Sequence, residues 1–255
     1  MTYKNLQNHA LKLRDFVLTL VFPTTCLNCE QEGSWLCAEC SRQLEFLAGQ
    51  LCFGCKTASG SEFCPACQPN YLLDGLLIAG DYDNRLLNEL ITKLKYHFLK
   101  DIAPVLGNYL VQFLSTLPNQ QLILKLKAGD SQLKENCSAN NLIIIPVPLS
   151  SRRQRWRGFN QATEIAAIVA LQLDLPLEKN NLVRIKHRRA QAKLNEEQRK
   201  INVNNCFRWQ GNNLAGKNIL LVDDVATTGA TLNECAKILK QNGAGKVWGL
   251  VAAKG

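Results

Sequence analysis

Eight of the eleven cysteines fall into four C-x2-C pairs, Cys26/Cys29, Cys37/Cys40, Cys52/Cys55 and Cys64/Cys67, all within the first third of the chain. A C-x2-C knuckle turns two thiolates toward one point, and two knuckles complete a tetrahedral four-thiolate zinc site with no open position. The eight cysteines are therefore expected to hold two Zn2+ ions whose role is structural, since a closed site has no room for substrate. Sequential pairing of the knuckles is the first choice; nested and crossed assignments satisfy two ions equally well. Disulfides would require an oxidising compartment, and nothing in the sequence points to export. Cys137, Cys206 and Cys235 lie alone and are expected as small buried apolar residues rather than nucleophiles.

The segment before the knuckles carries Lys12 and Arg14 ahead of "FVLTLVF", but its apolar run is short and no small-residue cleavage site follows. Leu6, Ala10, Leu13, Val17 and Leu20 recur at helical spacing. Three parts are expected: an N-terminal amphipathic helix over 1–22, a double zinc ribbon over 23–70, and a larger domain over 71–255. Closed thiolate sites fold small modules that lack apolar mass of their own, and 23–70 is poor in it. No run has the length of a membrane span, so no membrane insertion is expected. With 46% hydrophobic and 20% charged residues the chain is globular, which excludes a disordered tail or linker. Its formal net charge of +9 favours polyanionic partners.

From Tyr71 onward the pattern alternates. "GLLIAGDY" reads as a strand, and the helix after it places Leu87, Leu90, Ile91, Leu94 and Phe98 on one face. "DIAPVLGNYLVQFLSTL" continues helically, with Pro104 near a helix start. The stretch 118–141 is polar and turn-rich and is expected as a surface insertion. "LIIIPVPL" is an apolar strand, followed by a helical face of Ala162, Ile165, Ala166, Val169 and Leu173. "NLVRI" is a strand again; a charged stretch runs from Lys186 to Asn205. "KNILLV" then leads into a helix with Leu232, Cys235, Ala236 and Leu239, a stop at Gly243, and the strand "KVWGLVAA". This order predicts an α/β fold, a parallel sheet flanked by helices, with ligands bound at the carboxyl ends of its strands.

One such end reads "LLVDDVATTGATL", Leu220 to Leu232. Two adjacent carboxylates, Asp223 and Asp224, are costly at a strand end, because like charges repel and desolvation penalises each. The turn that follows can cradle a phosphate: backbone N–H groups and threonine hydroxyls converge, glycine permits close approach, and the next helix begins with its positive end. Two acids accept hydrogen bonds from vicinal hydroxyls. A ribose 5-phosphate presents both features.

"ILLVDDVATTGAT" resembles the PRPP-binding motif of type I phosphoribosyltransferases. The resemblance implies that Asp223 and Asp224 contact the ribose hydroxyls and carry the catalytic role. It also implies that Ala226, Thr227, Thr228, Gly229, Ala230 and Thr231 grip the 5-phosphate. Together with "PVPLSSRRQRWRGFNQATEIA", the later Gln191, Leu194, Arg199 and Asn202, and the cysteine-rich start, the chain resembles the ComF family from about Pro23 onward. Members of that family join a zinc ribbon to a type I phosphoribosyltransferase-like domain. The segment after "IIIPVPL" then corresponds to the pyrophosphate loop, with Arg157, Gly158 and Asn160 as further PRPP-binding residues. Arginine suits phosphate oxygens by its planar fork of donors. Mg2+ is implied with PRPP, and 186–205 takes the position of the loop that closes over it. Arg152, Arg153, Arg155 and Trp156 interleave cations with an aromatic ring, a pattern that suits single-strand binding. The family resemblance further implies a cytoplasmic location, with single-stranded DNA and the DNA-uptake machinery of natural transformation as partners. The alternative is a phosphoribosyltransferase acting on a small-molecule acceptor. No acceptor-recognition segment is recognisable, and His97 and His187 are weak candidates for moving a proton.

Overall fold

The computed structural model describes residues 23–47, 49–57, 60–129, 141–185 and 205–255. The expected helix over 1–22, Cys137, His187 and nearly all of the 186–205 stretch lie outside those residues. The chain separates into two compact units, one through Leu44 and one from Glu45. The division falls between the two halves of the cysteine-rich segment.

In the first unit the Cys26–Cys29 knuckle is closed by the Cys26 N–H donating to the Gln31 carbonyl at 2.8 Å and the Glu30 N–H donating to the Cys26 carbonyl at 2.9 Å. Helix α1 (Ala38–Ser41) follows, with Cys37 at its N-cap accepting from the Cys40 N–H. Buried Cys26, Leu36, Cys40 and Leu44 make a small core.

The second unit is built on a four-stranded sheet ordered β1-β6-β5-β2, with β1 Gly75–Asp81, β2 Leu142–Pro146, β5 Asn218–Ala226 and β6 Val247–Lys254, every neighbouring pair parallel. Strands buried on both faces read as unbroken apolar runs, and Ile219 to Val222 and Leu250 to Ala253 are fully buried. Helices supply the cover: α2 (Arg85–Tyr96), α3 (Ala103–Leu114), α6 (Gln161–Leu173) and α7 (Ala230–Gln241). Asn84 caps α2 by accepting from the Leu87 N–H, and Leu87, Leu90, Ile91 and Leu94 bury its apolar face. Pro104 sits in the first turn of α3, where its missing N–H costs nothing. Gly107 lets α3 approach α6, since a Cβ there would lie 2.6 Å from Ile168.

Four expectations change. Phe98 does not continue the α2 face: the helix ends at Tyr96, and Phe98 turns out with φ of 59° and 40% exposure. The 118–141 segment begins as a helix, α4 (Leu117–Ala128), because Pro118 suits its first turn and Ile123 and Leu126 are buried. Buried Asn119 ties it down by donating to the Phe113 carbonyl at 3.0 Å. The segment after "IIIPVPL", expected as the pyrophosphate loop, forms a short helix of its own, α5 (Ser151–Arg157), ended by Gly158 at φ of 82° before α6. "NLVRI" forms β3 (Leu182–Arg184) outside the main sheet, paired antiparallel with β4 (Phe207–Trp209).

Candidate functional site

The eight cysteines assemble as two sets, Cys26, Cys29, Cys37 and Cys40, and Cys52, Cys55, Cys64 and Cys67. Within each set all ligand atoms lie within 4.8 Å of one another. Thiolates at about 2.3 Å from a tetrahedral zinc stand about 3.8 Å apart; the Cys29–Cys37 and Cys55–Cys64 Sγ distances are 3.6 and 3.5 Å. Each set therefore fits a structural Zn2+, and the pairing is sequential. The knuckles repeat one another. The Cys37 N–H donates to Cys26 Sγ and the Cys64 N–H to Cys52 Sγ, at 3.5 and 3.4 Å. Glu30 and Lys56, each one residue past its knuckle, take the same left-handed φ of 61° and 63°. Cys206 and Cys235 are fully buried in the core of the larger unit, and burial pushes the Cys235 thiol well above its ordinary value. Neither is placed as a nucleophile.

At the carboxyl ends of β2 and β5 lies a cavity of 270 Å3. Asp223, Asp224 and Val225 of β5 form one wall, Val147, Pro148 and Leu149 after β2 another, and Arg153, Trp156 and Arg157 of α5 a third. Lys95 and Tyr96 from the end of α2, Arg184 of β3, Gln161 and Thr231 complete it. Asp223 and Asp224 are neighbours on a strand, so their side chains leave on opposite sides of the backbone and meet different surroundings. Asp224 is 3% exposed; its Oδ1 accepts from Lys95 Nζ at 3.2 Å. Its Oδ2 is buried with no hydrogen-bond partner among the described residues. Asp223 is half-buried and accepts from the Asp224 N–H at 2.9 Å. Burial, and then repulsion from the Asp224 carboxylate, push the Asp223 carboxyl up to about 8, against the opposing pull of the Asp224 N–H and then of Lys95.

The cationic side is similarly incomplete. Arg157 is 7% exposed, donates to Gln161 Oε1, and lies with its guanidinium 6.0 Å from the Tyr96 ring centroid. Arg184 stacks on Phe207 at 5.4 Å. The Nε atoms of both arginines are buried without a hydrogen-bond partner among the described residues, and burial draws both side chains below the ordinary arginine range. Four cations, Lys95, Arg153, Arg157 and Arg184, face two carboxylates. The wall carries an excess of two positive charges if all six ionise, and more when Asp223 is protonated. Buried donors and acceptors without partners are costly; here they are concentrated at one cavity whose chemistry fits an anionic ligand bearing hydroxyl groups.

Of the residues singled out in the sequence, the structure gathers Asp223, Asp224, Thr231, Arg153, Trp156 and Arg157 into this wall. From Ala226 at the end of β5 the chain turns through Thr227, Thr228 and Gly229 into Ala230, the first residue of α7. In it Gly229 takes φ of 66° and the Ala230 N–H donates to Thr228 Oγ1 at 3.4 Å. Gly158 and Asn160 lie outside the wall. Gly158 ends α5, while the Asn160 amide accepts from the Ala162 N–H and donates to the Val147 carbonyl, fastening α6 to the loop after β2. Arg152 and Arg155 are exposed outside the wall, and Trp156, 60% exposed, meets Phe98 edge-on at 5.0 Å. His97 follows α2, exposed and outside the wall. Lys95, Tyr96 and Arg184 were not indicated by any motif, and Gln161 lies at the end of the ComF-like "RGFNQ" without having been given a role there. Lys95 and Arg184 read locally as an ordinary basic residue in a last helical turn and a charge within a strand.

Residues 160–252 match the family described as the phosphoribosyl transferase domain, and residues 17–71 match the double zinc ribbon domain. The chain is 41% identical over 114 residues to competence protein F of Haemophilus influenzae, a match spanning 43% of this chain and only half, 50%, of that protein. It is 30% identical over 213 residues to DNA utilization protein YhgH of Salmonella typhimurium, covering 83% of this chain and 86% of that one. It is 27% identical over 217 residues to competence protein ComFC of Bacillus subtilis, covering 82% and 79%.

Proposed function

The chain belongs to the ComF family of competence and DNA utilization proteins, a double zinc ribbon joined to a phosphoribosyltransferase domain, and on that premise we propose that it binds PRPP with Mg2+ and acts in handling imported single-stranded DNA during natural transformation. The observation that carries the PRPP reading is the cavity in which Asp224 Oδ2, Arg157 Nε and Arg184 Nε are buried without partners among the described residues. Asp223 and Asp224, which both line the cavity, accept hydrogen bonds from the ribose hydroxyls. The turn from Ala226 to Thr231 takes the 5-phosphate on its backbone N–H groups and threonine hydroxyls at the start of α7. Arg157, Arg184 and Arg153 bind the pyrophosphate, their forked donors matching its oxygens. Mg2+ offsets the pyrophosphate charge when it is bound.

The DNA reading draws on the names of the relatives, on the net charge of +9, and on α5. Arg152, Arg153 and Arg155 are exposed there beside Trp156, giving phosphate contacts next to a ring on which a base can stack. Cytoplasmic action beside the uptake machinery follows from that role. The test is fluorescence anisotropy of a labelled single-stranded oligonucleotide titrated with the protein at several salt concentrations, with and without saturating Mg-PRPP. Salt-dependent binding that shifts with Mg-PRPP is expected, because the cavity and α5 share Arg153 and Trp156. Absence of DNA binding at moderate salt overturns the DNA reading. It then favours the second one, a Mg-dependent phosphoribosyltransferase on a small-molecule acceptor, which the intact acid pair supports and which pyrophosphate release against a panel of acceptors would detect.

A further inference from the structure

The second four-cysteine set is built into the core that carries the phosphate turn. Cys52 is fully buried and packs in one cluster with Phe63, Leu232 and Cys235, the last two on α7. The segment leaving the knuckles is fixed to the same helix: Asn233 Oδ1 of α7 accepts from the Leu72 N–H at 2.7 Å and from the Leu73 N–H at 3.4 Å. Phe53 lies between Cys52 and Gly54 within the knuckle, and its ring edge covers Gly229. A Cβ on Gly229 would stand 2.7 Å from Phe53 Cε1, closer than real Cβ atoms come to any neighbour. The ring also lies 5.8 Å from Lys254 Nζ at the end of β6, a cation–π distance.

We infer that Phe53 is a positioning residue for the anion turn: the metal-held knuckle presses its ring against Gly229 and so fixes the N–H groups of Thr227 to Thr231 in their ligand-binding arrangement. This rests on the PRPP reading for the identity of the ligand, but the contact itself does not. The physical reason lies in the turn. Gly229 is in the left-handed region, has no side chain to pack, and caps α7 without a side-chain hydrogen bond. A glycine has the largest conformational freedom of any residue, so a turn built on it holds one shape only when something outside it removes the alternatives. The Phe53 ring does so, and the thiolate cluster on either side of Phe53 holds the ring. A zinc knuckle here acts on a ligand loop in the way outer groups orient metal ligands, with the roles reversed.

The experiment compares the zinc-loaded full-length protein with its Phe53→Ala and Phe53→Tyr variants. Amide hydrogen exchange is read at 226–231, and calorimetry uses ribose 5-phosphate and inorganic pyrophosphate as separate probes. Phe53→Ala is expected to speed exchange in the turn and to weaken ribose 5-phosphate about tenfold, while pyrophosphate affinity, supplied by the arginines of the opposite wall, is unchanged. Phe53→Tyr keeps the ring and restores both readouts. Unchanged exchange at 226–231 in Phe53→Ala overturns the inference, as does an equal loss for both probes, which marks general loosening of the fold. Faster exchange in a protein whose wild type binds no ribose 5-phosphate leaves the Phe53 contact standing and refutes the PRPP reading instead.

Discussion

Asp223 and Asp224 occupy successive positions on β5, yet burial and neighbours treat them differently. Asp224 has Lys95 at 3.2 Å; Asp223 has burial and its neighbour's charge against it, and its carboxyl rises to about 8. A carboxyl whose folded pKa exceeds its unfolded value binds more protons in the folded state, so stability falls as pH rises from about 4 to about 8. Asp223→Asn removes that dependence. The Tm of the variant should equal that of the wild type near pH 4 and exceed it increasingly up to about pH 8, as read by calorimetric scans across the range; a constant gap would contradict the raised carboxyl. At this scale the sequence was informative about the acids, because an acidic pair ending an apolar run has no cheap structural use. It was silent about Lys95 and Arg184, which reach the cavity from elements that only the fold brings near β5.

The element that organises the site is β5, its turn, and α7. The apolar run from Ile219 to Val222 needs a buried parallel sheet, the threonines and Gly229 need a tight turn, and Leu232, Cys235, Ala236 and Leu239 need a helix packed on that sheet. All four are buried as those requirements demand. Local signals agreed here, so this unit was legible in advance. Gly229→Ala sets a side chain in the left-handed region and against Phe53, and should cost about 2 kcal/mol or more, read as a fall in the urea midpoint. A change below about 0.5 kcal/mol would show that the turn is not held as described. α5 was less legible. "SSRRQRWRG" carries charge without apolar periodicity, and the break before α6 comes from Gly158 at φ of 82°, which a helical face counted over Ala162 to Leu173 does not register. The helix α4 was hidden for a related reason: glutamines and lysines surround Ile123 and Leu126, the two apolar side chains it buries.

Across the whole molecule the cysteine arithmetic was the most legible feature. Fixed spacing reports local knuckle geometry directly, while the sequential pairing, which spacing leaves open beside nested and crossed ones, comes from the structure. What spacing cannot report is that the second set shares a core with α7 while the first lies in a separate compact unit. Elemental analysis of protein purified without chelators should give two zinc per chain; a value below one would refute the double site. The proposed function makes the Asp223/Asp224 cavity a Mg-PRPP site. Titration calorimetry of Mg-PRPP into the wild type and into the Asp223→Asn, Asp224→Asn double variant tests it most directly, with circular dichroism to confirm that both are folded. One PRPP bound per wild-type chain and no measurable binding to the folded double variant are expected. Equal affinity in the two proteins would contradict the proposal.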